Sequence, residues 1–271
     1  MAPVSVVVPC FRCALTVGRA VESVMRQTMP VGELILVDDC SDDGTGAVLL
    51  EIAKRPGGGR VRVLTLERNS GPAAARNLGW EAASGDYVAF LDADDAWHPR
   101  KIELQYRFML ARPEFAFSGH AHRWSRGGND APQPEPVPGD VEVTRGELLF
   151  SNRFTTSSVM VRRAVAHRFR DGQRHMEDHL LWLTMILAGL RAARLNAALS
   201  CRYFAPFGEA GLSGNLVAMQ RAELGNYRLL RSEGRIGAAT LAVLSAWSAA
   251  KFLRRLLIVA GRRLSRTPAT G

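Results

Sequence analysis

Four short runs in the first hundred residues, "VSVVVP" (4–9), "ELILVD" (33–38), "VRVLTL" (61–66) and "DYVAFL" (86–91), constrain this chain more than any other feature. Each is rich in Val, Ile or Leu and apolar at successive positions, so the strand it predicts has no face to offer water. Helical spacing fills the gaps. "LTVGRAVESVMRQT" (15–28) puts Val17, Val21 and Val24 on one side, and "GPAAARNLGWEAAS" (71–84) follows Ser70, a candidate cap, with Pro72 near its first turn. The strand, helix, strand rhythm predicts an α/β fold with a largely parallel sheet.

Beyond Pro113 the pattern becomes mixed. "RGGNDAPQPEPVPGD" (126–140) holds four prolines and three glycines and reads as a loop or linker. A strand-like "TSSVMV" (156–161), helices over about 177–188 and 216–232, and one long helix over about 236–266 follow, with no internal repeat. With 271 residues, 47% of them hydrophobic, the chain can bury one large core or two small ones. The 35 Lys and Arg outnumber the 26 Asp and Glu, and a net charge of +9 favours anionic partners without choosing among them. The N-terminus has no positive region ahead of its apolar run, and no run reaches the roughly eighteen residues of a spanning helix, so a cytoplasmic protein is expected. Cys10, Cys13, Cys40 and Cys201 then need no disulfide framework.

The stretch "YVAFLDADDAWHP" (87–99) raises the chemical question: an apolar run ends in three carboxylates, Asp92, Asp94 and Asp95. Ligands of open α/β sheets sit beyond the carboxyl ends of the strands, and "ILVDDCSDDGT" leaves the second strand the same way, through Asp38 and Asp39. Alternation along an extended backbone puts Asp92 and Asp94 on one side, within reach of one hard divalent cation, and turns Asp95 away or into a cap. Oxygen ligands favour magnesium or manganese over zinc. The plain alternative is that these acids cap helices, and it weighs most on Asp38, Asp42 and Asp43.

Taken in order, "VSVVVPCFR", "AVESVMRQT", "ELILVDDCSDDGT", "NSGPAAARNLGWEAASGDYVAFLDADD" and "MEDHLLW" resemble the inverting family 2 glycosyltransferases, over about residues 4 to 215. That resemblance implies a GT-A-like, Rossmann-like α/β fold: a mixed, mostly parallel sheet flanked by helices, here with a C-terminal helical extension. It divides the chain into a nucleotide-sugar half (1–120), an acceptor and catalytic-base half (121–232) and a basic helix (233–271). The implied activity is transfer of a sugar from a UDP-sugar or dTDP-sugar to a glycan or lipid-linked acceptor hydroxyl, with inversion and with Mn2+ or Mg2+, in bacterial cell-surface polysaccharide assembly.

Carried over residue by residue, Pro9 and Phe11 line the base pocket, with Phe11 where the family often has Tyr. Asp39 accepts from the base imide N–H. Arg76 lies near the nucleotide, or simply pairs with a neighbouring Asp. Asp92 touches ribose and metal, and Asp94 ligates the metal. Asp178 is the general base, and Glu177 binds acceptor or orients the site. Processive members carry Gln-x-x-Arg-Trp, where this chain has only "HLLW", so Trp182 is assigned to the acceptor and one sugar is expected per encounter. "FGEAGLSGN" (207–215) resembles a stretch that closes over the donor diphosphate, without the basic residue frequent there.

Other readings compete. "CFRC" (10–13) has the spacing of a thioredoxin-like redox pair, but that leaves the acids unexplained. His175 and His179 are spaced like zinc ligands, without a third ligand or the Glu directly after the first His that zinc proteases need. "PGGGR" (56–60) fits neither dinucleotide nor P-loop spacing, and nucleic-acid binding has only the net charge behind it. A non-catalytic sugar-binding relative is the stronger non-enzyme alternative. In "AWSAAKFLRRLLIVAGRRLSR" (246–266), Lys251, Arg255, Arg262 and Arg266 share one helical face opposite Leu253, Leu257, Ala260 and Leu264. This predicts a helix in a membrane interface, with six basic residues worth about 1 kcal/mol each near an anionic leaflet. The alternative is a helix packed on the domain with its basic face in solvent.

Overall fold

A computed structural model describes residues 1–55, 60–125, 140–203 and 215–264, with no account of the side chains of 260–264. The expected 207–215 segment lies almost wholly outside the described residues, as does nearly all of 126–140. The four apolar runs form β1 (Ala2–Cys10), β2 (Val31–Asp38), β3 (Val61–Thr65) and β4 (Tyr87–Phe90), paired in parallel in the order β3-β2-β1-β4. Between them run α1 (Val17–Met25), α2 (Thr45–Lys54) and α3 (Pro72–Glu81). After β4 the chain makes β5 (Asp95–Trp97), α4 (Lys101–Ala111), β6 (Phe115–Trp124), β7 (Asp140–Glu142) and α5 (Arg145–Phe150). A 3-10 turn (Thr156–Ser158) leads to β8 (Met160–Arg162), α6 (Glu177–Leu187), β9 (Arg191–Arg202), α7 (Leu216–Ser232) and α8 (Ala238–Leu264). The sheet continues past β4 as β8-β6-β9-β5, with β7 on β9; β8 is antiparallel to both neighbours, while β6 and β9 are parallel. One mixed sheet therefore carries strands from both expected halves.

Alternate side chains of the central strands enter opposite cores, which is why their sequences are apolar throughout. Val7, Ile35, Val37 and Phe90 face a core closed by α3, α6, α7 and α8, whereas Val6, Val8, Leu34 and Leu36 face one closed by α1, α2 and α4. Helix α3 lies so near β1 that a Cβ on Gly79 would sit 2.3 Å from Val7 Cγ1. Ser70 does not cap it: Gly71 occupies the cap position at φ 88, and the Ser70 hydroxyl turns back to the Arg68 carbonyl at 3.1 Å. The stretch 156–161 is split, its first half forming the 3-10 turn and its second entering β8.

Helix α8 forms where expected. It packs on α7 through Leu244 and Ser248, both buried, and Lys251 reaches buried Glu223 at 2.6 Å. Leu253 and Leu257 are 60% and 66% exposed, which departs from the alternative of a helix packed through its leucines with a solvated basic face. The reason is energetic: a buried carboxylate on α7 needs a cation more than the leucines need cover. Arg262, Arg266, Ala260 and Leu264 lie outside the described side chains. Among the described residues no helix is long and apolar enough to cross a membrane.

Candidate active site

The carboxyl ends of β1, β2 and β4 open into a cleft of about 640 Å³, whose far wall is the start of α6. Pro9, Phe11, Asp39, Arg76, Asp92 and Asp94 all line it, as do Glu177 and Asp178. Residues more than 160 positions apart in sequence thus share one cavity.

The acid cluster sits at its centre. Strand β4 ends at Phe90, and the Asp95 N–H donates to the Asp92 carbonyl at 3.0 Å, making a tight turn rather than the extended segment the sequence suggested. Consequently Asp95 does not turn away: one oxygen from each of Asp92, Asp94 and Asp95 lies within 4.8 Å of the others. Asp95 is buried at the start of β5, where Ser157 donates to it at 2.6 Å and Arg202 stands 3.8 Å off. Burial and the neighbouring Asp92 push its carboxyl up to about 8, against the pull of Arg202. Burial, with Asp92, also raises Asp94. Crowded, partly buried, all-oxygen acids whose ionised forms repel one another suit a hard divalent cation.

Arg76 links this cluster to the opposite wall. Projecting from α3 and buried, its guanidinium donates to Asp92 at 2.8 Å and to Glu177 at 2.7 Å. Burial opposes its charge, but the two carboxylates outweigh that and hold its pKa above the ordinary value. Arg76 lines the cleft and pairs with an Asp, as the second of the two expectations for it had it. Glu177 is pushed up to about 7, chiefly by burial and further by Asp178, with Arg76 pulling the other way. Beside it, Asp178 accepts from Asn152 Nδ2 at 3.0 Å and from the His179 N–H at 2.7 Å. Met176, ahead of both, holds a left-handed φ of 57, anchored by Asn226 donating to its carbonyl at 2.9 Å.

At the other end, Asp39 is buried and accepts from the Ser70 N–H at 2.6 Å, the Gly71 N–H at 2.8 Å and Asn69 Nδ2 at 3.1 Å. These bonds fix the carboxylate and leave lone pairs for a ligand. Phe11 is 43% exposed at the cleft rim, with the Arg12 guanidinium 5.2 Å from its ring centre.

Trp182 requires correction. It is fully buried on α6, its ring stacked on Phe117 at 5.3 Å and edge-on to Phe169 at 5.8 Å, so it has no surface for an acceptor. Although it stands one turn after Asp178, it lies deeper along α6, enclosed by Phe117 and Phe169, and does not line the cleft. The two histidines also separate, His175 lining the cleft and His179 buried with Nε2 on the Leu148 carbonyl at 2.7 Å. Among the described residues, Asp92, Asp94 and Asp95 are the group of three or more possible metal ligands. Sequence reasoning missed Arg174 and Arg202, which bring positive charge to the cleft, and Trp124 and Thr156 on its wall. Arg202 ends β9, a few residues before the stretch searched for a basic side chain.

Residues 5–169 match the family described as Glycosyl transferase family 2. A Bacillus subtilis chain named for teichuronic acid biosynthesis, the glycosyltransferase TuaG, is 34% identical over 199 residues, covering 73% of this chain and 77% of the relative. The Escherichia coli UDP-Glc:alpha-D-GlcNAc-diphosphoundecaprenol beta-1,3-glucosyltransferase WfgD is 31% identical, covering 73% and 75%. In fold, the chain superposes on Staphylococcus aureus TarS 1–349 in complex with UDP-GlcNAc at a TM-score of 0.67 and 21% identity, covering 94% of this chain and 72% of that one. A Pyrobaculum calidifontis mannosyltransferase in complex with GDP-Man and Mn2+ gives 0.67 at 16% identity, covering 96% and 77%.

Proposed function

We propose, from the premise that this chain belongs to glycosyl transferase family 2, that it moves a single sugar from a UDP-sugar to an acceptor hydroxyl with inversion, in assembling a cell-surface glycan. The observation that carries the reading is one cleft in which Arg76 joins Asp92 of the acid cluster to Glu177, the neighbour of Asp178. WfgD is named for a UDP-glucose donor and a diphosphoundecaprenol-linked acceptor, which supports a donor and a lipid-linked acceptor of those classes here. A dTDP-sugar presents the same imide edge and would be read the same way.

In this reading the donor half is 1–120 and the acceptor half 121–232. Phe11 gives a face on which a base can stack, Pro9 borders it, and Asp39 accepts the imide N–H with a lone pair its backbone donors leave free. Asp92 and Asp94, with Asp95 behind them, would hold Mn2+ or Mg2+, which when bound supplies neutralisation of the departing diphosphate. Arg202 beside Asp95 and Arg174 beside Asn69 add positive charge to the cleft. Asp178 accepts the proton of the acceptor hydroxyl as its oxygen attacks the anomeric carbon from the opposite side. A single displacement inverts the centre and needs one base. Glu177, held by Arg76, is a positioning residue that fixes the start of α6.

The exposed apolar row of α8, Trp247, Leu253 and Leu257 with Val243 and Leu256 beside it, suits peripheral binding to the membrane that carries a lipid-linked acceptor. Arg254, also exposed, adds attraction to an anionic leaflet. A panel of nucleotide sugars with Mn2+, scored by thermal protection and by release of nucleoside diphosphate in the presence of an undecaprenyl-diphosphate-linked sugar, tests the reading. Protection and turnover with UDP-sugars are expected; protection without turnover across all acceptors would favour a non-catalytic sugar-nucleotide binder.

A further inference from the structure

Cys10 and Cys13 take no part in the transfer just described, yet both line the donor end of the cleft. Cys10 closes β1, and the Cys13 carbonyl accepts from the Thr16 and Val17 N–H groups at 3.0 Å each, as α1 begins. Between them the backbone is strained and clamped. Arg12 holds a left-handed φ of 48, its N–H donates to Ser41 Oγ at 3.1 Å, and its guanidinium grips Asp42 through two bonds of 2.7 Å. Both thiols sit in one buried cluster beneath this arch, where the Cys10 thiol donates to the Val8 carbonyl at 3.4 Å. The neighbouring thiols shift each other, Cys13 below and Cys10 above the ordinary value, and so divide the pair into an attacking and a resolving sulfur. Cys13 is 8% exposed and Cys10 fully buried, so the cleft is their route to solvent.

We propose that Cys10 and Cys13 are a reversible oxidation site that controls donor binding: joined as a disulfide, they pull in the Phe11–Arg12 arch and spoil the surface on which the nucleotide base rests. This rests on the reading of that end of the cleft as the base pocket. A hydroperoxide is the oxidant. The Cys13 thiolate attacks one peroxide oxygen, the O–O bond breaks, and the leaving oxygen takes up the thiol proton to depart as water or alcohol, leaving Cys13 as a sulfenic acid. Cys10 sulfur then attacks Cys13 sulfur, the S–S bond forms, the S–O bond breaks, and the hydroxyl leaves as water with the Cys10 proton. The two thiols give up two electrons and the peroxide accepts them. A nucleotide in the pocket blocks the route to Cys13, so donor protects the pair just as the disulfide weakens donor.

The test uses the full chain with Cys40→Ser, which removes an exposed thiol that does not line the cleft. Hydrogen peroxide is added with and without UDP and Mn2+, remaining thiols are alkylated and located by peptide mass, and UDP affinity is measured by calorimetry before oxidation, after it, and after dithiothreitol. The expected result is one disulfide, Cys10 to Cys13, formed more slowly with UDP present. UDP affinity should fall about ten- to a hundred-fold, the worth of a lost base-stacking surface, and recover on reduction. Cys13→Ser should abolish both the linkage and the loss. A disulfide through Cys201, over-oxidation without a disulfide, or an oxidised protein that binds UDP unchanged would overturn the proposal alone. A reduced protein that binds no UDP would instead overturn the base-pocket reading, and the proposal with it.

Discussion

Glu177 and Glu223 are both buried glutamates bonded to a basic side chain, yet the protein treats them oppositely. Glu223, between α7 and α8, has Lys251 at 2.6 Å, Ser248 at 2.6 Å and the Tyr227 hydroxyl at 3.2 Å; burial raises its pKa, but Lys251 and Ser248 outweigh that and hold it below the ordinary value. Glu177, in the cleft, must share Arg76 with Asp92 while Asp178 stands beside it, and its pKa rises to about 7. One cluster is balanced from within and holds two helices together. The other carries more acid than its own bases can neutralise, and an excess of that kind marks a place prepared for charge from outside.

Breaking each cluster should therefore give different losses. Asp178→Asn should cut transfer about 10²- to 10⁴-fold, the usual worth of a general base, with donor affinity by calorimetry unchanged. Transfer at the wild-type rate would remove Asp178 from that role. Lys251→Met should cost about 3 kcal/mol by chemical denaturation, because it strands a buried carboxylate, while leaving the cleft's affinity for UDP intact. A loss of UDP affinity without a loss of stability would erase the division between the two clusters.

The pH dependence sharpens the contrast. A carboxyl whose folded pKa is raised stabilises the fold fully below its unfolded pKa, and that contribution is lost as pH rises through the folded value, so Glu177 should weaken the fold between about pH 4.5 and about 7. Glu177→Gln should flatten stability over that window. Glu223 has a lowered folded pKa, so its contribution is present above the unfolded value and is lost as pH falls through the folded one; Glu223→Gln should flatten the acid side instead. Equal slopes in both variants would contradict the comparison. The smallest effect concerns Lys101, fully buried with Nζ 3.7 Å from the Trp97 ring centre, no hydrogen-bond partner among the described residues, and a pKa pushed well below the ordinary value by burial. Lys101→Met should raise stability by about 1 kcal/mol, read from the denaturation midpoint.

Much of the donor side was legible in the sequence because its strands are buried on both faces and its acids follow them directly. The acceptor side was harder to read. Strand β9, "RAARLNAALSCR", buries small alanines that carry little strand signal, and α4 turns Lys101 and Gln105 inward, which blurs its helical period. Asp95 was misplaced because alternation was assumed where the chain turns. Trp182 was misread because only the first residues of α6, Glu177 and Asp178, reach the cleft, while Leu180, Leu181, Trp182 and Leu183 are all buried in the core. No local pattern marks Arg174 or Arg202, which reach the cleft only through the packing of distant elements. On α8 the helical period was readable, but which face turns inward was set by Glu223, some thirty residues earlier.

The central claim is that the acids after β4 hold a divalent cation for a nucleoside diphosphate, and calorimetric titration of UDP with and without Mn2+ tests it most directly. Wild-type protein should bind UDP at least about tenfold more tightly with Mn2+, and the paired substitution Asp92→Asn with Asp94→Asn should erase that gain without unfolding the protein. UDP binding of equal strength with and without Mn2+, in wild type and variant alike, would contradict the account.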